Sequence, residues 1–188
     1  MVCASVFVTA AVWAGQVAWA QPPVPVRLTA FAVNMSNVGT GASGTVDFTI
    51  NRWSTDAERD RLLSIFLERG PEKLLDALQD AKPAGRITAP GNLGWDVRYA
   101  RYRELPEGGS QIVLLTDRPI GFWEARNQPR TVDYPFTLID VRLKPDGTGE
   151  GKASVATKIT YNRGTKAIEL ENYASEPIRL NNVKIERR

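Results

Sequence analysis

The sequence predicts a mainly β fold, a single antiparallel β-barrel or two-sheet sandwich of about eight or nine strands with one inserted helical hairpin. Three observations carry this. Short segments of alternating apolar and polar residues recur along the chain. Gly- and Pro-rich turns separate them at short spacing, which implies antiparallel neighbours. Helical periodicity shows clearly in one place, at about 55–81.

VRLTAFAVNM (26–35) has strand composition, and SNVGTGASG (36–44) is a Gly/Ser-rich turn. In GTVDFTINRW (44–53), Val46, Phe48 and Ile50 face one way and Asp47, Thr49 and Asn51 the other. The period then changes. Thr55 and Glu58 have capping-box spacing, and Asp56 and Glu58 suit the positive end of a helix. Leu62, Leu63, Phe66 and Leu67 are its expected apolar side, and Gly70-Pro71 ends it. Pro71 fits the first turn of a second helix with Leu74, Leu75 and Leu78 inward. Trp53, just before the first helix, is expected to staple it to the barrel.

Strands resume with GRITAP (85–90), then WDVRYARYREL (95–105), read as one strand, and SQIVLLTD (110–117) after the turn PEGG. PFTLIDVRL (135–143) puts Thr137, Ile139, Val141 and Leu143 on one face. PDGTGEG (145–151) carries an Asp-Gly hairpin signal. KASVATKITYN, AIELENYA and PIRLNNVKIE complete the strands.

The 188 residues are enough for one domain with a sizeable core. The segment before Gln21 is uncharged and ends Ala18-Trp19-Ala20, a small-x-small cleavage pattern. The expectation is a signal peptide over 1–20, a single β-rich domain over 21–188, and export to the periplasm or beyond. The usual charged n-region is missing, which an upstream or miscalled start would explain. A membrane anchor is the alternative, but Gly15 and Gln16 interrupt a run already short for spanning. No integral membrane segment is expected after cleavage.

Histidine is absent, and Cys3, the one cysteine, falls in the segment expected to be removed. A Ser-His-Asp triad, a cysteine nucleophile, a His/Cys zinc site and His-ligated haem are thereby excluded for the mature chain. Carboxylate, Lys, Tyr or Ser-Lys chemistry remains, with oxygen-ligand metal sites. No cofactor is expected. The net charge of +3 is spread along the chain without a Lys/Arg run, so no nucleic-acid partner is expected.

The stretch TDRPIGFWEARNQPRTVDYP, between two predicted strands, is long for a loop and stiffened by Pro119, Pro129 and Pro135. It supplies the candidate ligand-binding residues Asp117, Arg118, Trp123, Glu124, Arg126, Arg130 and Asp133. Arg126 and Arg130 would hold a small anionic or sugar-like ligand and Trp123 would form an apolar wall. The competing reading, which weighs more, is a structural loop folded over the barrel mouth with its charges paired. Among carboxylates, Asp96, Asp117, Glu124 and Asp133 offer an acid/base pair only weakly, because nothing in their spacing selects one. The run from Arg98 to Arg103 mixes cations with aromatics, but a strand with cross-strand ion pairs explains it better. Asp146-Gly147-Thr148-Gly149-Glu150 fits a hairpin turn better than half a calcium loop.

RWSTDAERDRLL, TDRPIGFWEARNQPR, YPFTLIDVRL and IELENYASEPIRLNNV together resemble a group of uncharacterised exported bacterial proteins. The resemblance covers nearly the whole mature chain and implies export without an activity. A small exported barrel is also similar in outline to lipocalin, dirigent and allene-oxide-cyclase architectures, an analogy of fold alone. The expected function is non-catalytic: small-ligand binding or interaction in the envelope. The alternative is a carboxylate-based hydrolase or isomerase with its site in the 117–135 loop, Glu124 and Asp133 acting.

Overall fold

The computed structural model describes residues 21–35, 42–91, 93–120, 133–162, 164, 167–172 and 176–186. The chain runs β1 (Val26–Val33), β2 (Ser43–Ile50), α1 (Asp56–Arg69), α2 (Pro71–Gln79), β3 (Gly85–Thr88), β4 (Trp95–Val97) and β5 (Tyr99–Glu104). It continues with β6 (Ser110–Leu115), β7 (Phe136–Leu143), β8 (Thr148–Asn162), β9 (Ala167–Asn172) and β10 (Ile178–Glu186). The strands order as β4-β3-β2-β1-β10-β8-β7-β6-β5, every pair antiparallel, with β9 added on β8.

The two ends of that path, β4 and β5, follow one another in the chain. The segment predicted as one strand over 95–105 is broken at Arg98, and each half pairs with a different neighbour. The break is bridged by backbone. Arg98 N–H reaches the Leu115 carbonyl at 2.9 Å, and Ala84 N–H reaches the Val97 carbonyl at 2.7 Å. Ser54 N–H reaches the Ala100 carbonyl at 2.7 Å, while the Ser54 hydroxyl accepts from Ala100 N–H at 3.1 Å. The result is a nearly closed antiparallel barrel of nine strands with two helices, not a sandwich. Closure removes most of the exposed strand edges that an open sheet would carry.

Alternation along the strands fills the barrel. Leu28, Phe48, Ile50, Ile87, Ile112, Leu114, Ile139, Val141 and Leu180 are each at most 2% exposed and belong to one cluster. The interior is therefore a packed core and not a ligand chamber. A second cluster lies at one end, where Phe66, Leu74 and Leu78 of the helices meet Leu115, Phe136 and Ile159 of the strands. Burying a side chain such as Phe66 contributes about 1.5–3 kcal/mol.

The helical hairpin forms as its caps predict. The Thr55 hydroxyl accepts from Glu58 N–H, and the Glu58 carboxylate accepts from Thr55 N–H. Burial pushes the Glu58 carboxyl up, yet those hydrogen bonds and Arg52 hold it below its ordinary range. Arg52 also donates to the Lys82 carbonyl at 2.6 Å, which ties the entrance of the hairpin to its exit. Gly70 turns between the helices at φ +86°, a conformation that favours glycine. One expectation is corrected: Leu63 is 39% exposed. Leu62 and Phe66, four residues apart, form the inner stripe, and Leu63 is turned away from it. Trp53 packs on the barrel core, as half of its expected role requires, and donates to the Pro22 carbonyl at 2.9 Å.

Gly149 on β8 has no room for a side chain, since a Cβ there would lie 2.0 Å from the Arg142 carbonyl oxygen. Gly149→Ala must force β7 and β8 apart locally, at a cost of about 1–3 kcal/mol. Thermal unfolding should show a midpoint lowered by roughly 2–10 °C. An unchanged midpoint would mean that this strand pair yields without cost.

Candidate functional site

The long loop between β6 and β7 rises from a fixed base. Thr116 N–H donates to the Thr137 carbonyl at 3.0 Å, and the Thr116 hydroxyl accepts from Thr137 N–H at 3.1 Å. The hydroxyls of Thr116 and Thr137 both donate to the Arg118 carbonyl, and Thr137 also donates to the Val155 carbonyl at 2.8 Å. Both threonines are fully buried. These bonds satisfy backbone groups where the strands end, as burial requires.

Of the seven candidate residues, three are described. Asp117 and Arg118 stand on the first stem, and Asp133 is exposed on the second. Trp123, Glu124, Arg126 and Arg130 lie outside the described residues.

Asp117 is committed to the scaffold. Its side chain is 4% exposed and takes a hydrogen bond at 3.0 Å from Nε of Arg98, itself 15% exposed. The same guanidinium donates to the Ala81 carbonyl at 3.0 Å and lies 3.9 Å from Asp96. Arg118, half exposed, approaches the other Asp117 oxygen at 3.7 Å, but that oxygen accepts no hydrogen bond. Asp96 is paired as well, with Arg86 at 3.1 Å. The remaining cations of the Arg98–Arg103 run are also engaged: Arg101 binds Asp56 at 2.7 Å, and Arg103 donates to Gln111 across the strand pair. The charges of that run are paired, but not by the expected cross-strand ion pairs: Arg98 lies between strands and binds Asp117, Arg101 binds Asp56 on α1, and only the neutral Gln111 is met across the strands.

Tyr99 packs beneath the helices, where burial raises its phenol above the ordinary value while Arg101 and Arg59 pull the other way. A phenol with a raised pKa stays protonated at neutral pH and is a poor base. Asp146 closes the β7–β8 hairpin by accepting from the Thr148 backbone and hydroxyl, so the Asp-Gly stretch is a turn. Among the described residues no group of three or more His, Cys, Asp or Glu is placed to hold a metal. Among them, too, no helix is long and apolar enough to cross a membrane.

Room for a ligand lies at the other end of the same strands. A cavity of about 730 Å³ opens where β6 begins and β7 ends. Pro22–Val26, Tyr102, Leu105, Leu143 and Ile185 line it. Glu104, Lys144 and Glu186 also line it, and none of the three is in a salt bridge with another described residue. Tyr102 is held in place by Trp53, ring centres 5.7 Å apart and planes at 53°. Sequence reading missed this site. Its available signal was the Pro-rich QPPVPV, whose rigid backbone suits a wall, beside the aromatic Tyr102.

No protein-family model, curated protein or solved structure matches the chain. Function therefore rests on the residues and their geometry.

The Arg98–Asp117 pair sets a test. Removing one partner of a buried pair costs about 3–5 kcal/mol, so Asp117→Asn or Arg98→Met should lower the unfolding midpoint by roughly 6–20 °C. The double variant should lose less than the sum of the two. Strict additivity would show that the two side chains do not stabilise one another.

Proposed function

We propose that the chain is an exported, non-catalytic binding module that takes a small, mainly apolar molecule with a cationic group at the cavity beside Tyr102. The carrying observation is the contrast between a barrel filled by side chains and a roomy mouth at one end. Concave apolar walls with a few charged groups are the usual form of a small-molecule site. Two carboxylates, Glu104 and Glu186, stand there against one ammonium, Lys144. That balance favours a cation, and the Tyr102 ring offers a face for it. An anionic or sugar-like ligand, which the composition of the 117–135 loop suits, has less support at this mouth.

Binding is favoured over catalysis because Asp117 and Asp96 are both held by arginines. Among the described residues no observation favours the carboxylate hydrolase or isomerase reading. Export is supported by the cleavage-like Ala18-Trp19-Ala20 and by the segment just after it, which becomes a wall of the cavity. The resemblance to exported bacterial proteins points the same way.

Titration of the protein with phenethylamine and with phenylacetate, followed by tryptophan fluorescence, tests the reading. The amine should bind and the acid should bind at least about tenfold more weakly, because like charges oppose it. Tyr102→Leu keeps apolar volume but removes the ring face, and Glu104→Gln removes a charge; each should weaken the amine severalfold. Equal binding of acid and amine, or indifference to both substitutions, would overturn it.

A further inference from the structure

The strand β9 sits apart from the closed wall. It pairs with β8 through Thr157–Asn162 and lies off the path that links the other nine strands. Among the described residues no other strand pairs with its outer edge. Side chains alternate along it. Ile168 and Leu170 are 52% and 47% exposed, though they stand opposite Tyr161 and Ile159, which pack into the cluster beneath the helices. They prolong an apolar face beyond the part that the helices cover. On the opposite face Glu169 and Glu171 are exposed, the first accepting from Asn162 and the second from the Tyr134 hydroxyl. No Lys or Arg occurs on the strand.

A strand docking on that edge gains backbone hydrogen bonds and must match both faces. A second copy of β9 is penalised in its central registers. Antiparallel pairing centred on Glu169 or Leu170 sets glutamate opposite glutamate, and like charges directly opposite destabilise a sheet. An extended segment alternating apolar with basic residues satisfies both faces at once.

We propose that β9 is a docking edge for a partner polypeptide, which adds an extended strand of alternating apolar and basic residues. The apolar side chains cover Ile168 and Leu170, and the basic ones face Glu169 and Glu171. The site is distinct from the cavity beside Tyr102 and independent of it.

Fluorescence anisotropy with the full chain tests this, using an eight-residue labelled peptide alternating valine and lysine. Two comparison peptides alternate valine with glutamate, or carry the valines and lysines in separate blocks. The alternating lysine peptide should bind at least about tenfold tighter than either comparison, since both the charge and the alternation are matched. Glu169→Lys with Glu171→Lys should reverse the preference between the lysine and glutamate peptides. Methylating alternate backbone nitrogens of the peptide, which removes its strand donors, should abolish binding. Equal binding of the blocked peptide would reduce the effect to general charge attraction and overturn the proposal. So would a dimer in sedimentation that Leu170→Asp dissolves, because the edge would then serve a second copy.

Discussion

The guanidinium of Arg98 joins three separate parts of the molecule. It sits at the break between β4 and β5, where the nine-strand path comes round on itself. Its three nitrogen positions reach Asp117 at the base of the long loop, Ala81 at the exit of the helical hairpin, and Asp96 on β4. Arginine suits this position because its donors are fixed in a planar fork and its charge is permanent. A buried ion pair of this kind adds little net stability over an apolar replacement. Its contribution here is to register: the seam, the hairpin and the loop base must all be in place for the charges to be satisfied.

Closure also decides where a ligand can go. A small barrel has room for either a core or a chamber, and Phe48, Leu28 and Ile139 fill this one. The helices cover one end through Phe66, Leu74 and Leu78. The opposite end is left to hairpin turns and the Pro-rich entry to β1. Gly109 and Gly147 keep those turns tight at positive φ. Short turns do not reach across the mouth, so a cavity persists there. It is shaped by rigid proline backbone and by a Tyr102 ring braced on Trp53.

The fold was legible in the sequence wherever local chemistry and tertiary need agree. The alternation of Val46, Phe48 and Ile50, the Thr55/Glu58 box and the Gly70-Pro71 break each state a local preference that the fold keeps. The break at Arg98 was not legible. Nothing in WDVRYARYREL marks it, because its cause is distant: Ala84, Leu115 and Ser54 bond the backbone of Val97, Arg98 and Ala100 in turn. Leu63 misled for a related reason, since a run of leucines does not say which of them meets the sheet. The charged loop drew attention through composition, but composition does not distinguish a ligand's arginine from a scaffold's. Asp117 shows the difference, being fixed by an Arg98 that is 19 residues away in sequence. The cavity at the far end leaves almost no signature, for it is formed by prolines, turn glycines and one tyrosine from separate segments.

The same closure explains why β9 differs from the other strands. β8 is 15 residues long, and β7 and β10 together cover only its first part. Its last residues run past the barrel wall, where they need a partner on one side and a cover on one face. β9 supplies the partner, and the helices supply part of the cover through Ile159 and Tyr161. The hairpin is thereby long enough to reach the helices but too far out to be closed into the wall. An edge left over from closure is a liability unless it is guarded, and Glu169 and Glu171 guard it against another copy of itself. The same two charges admit a basic strand.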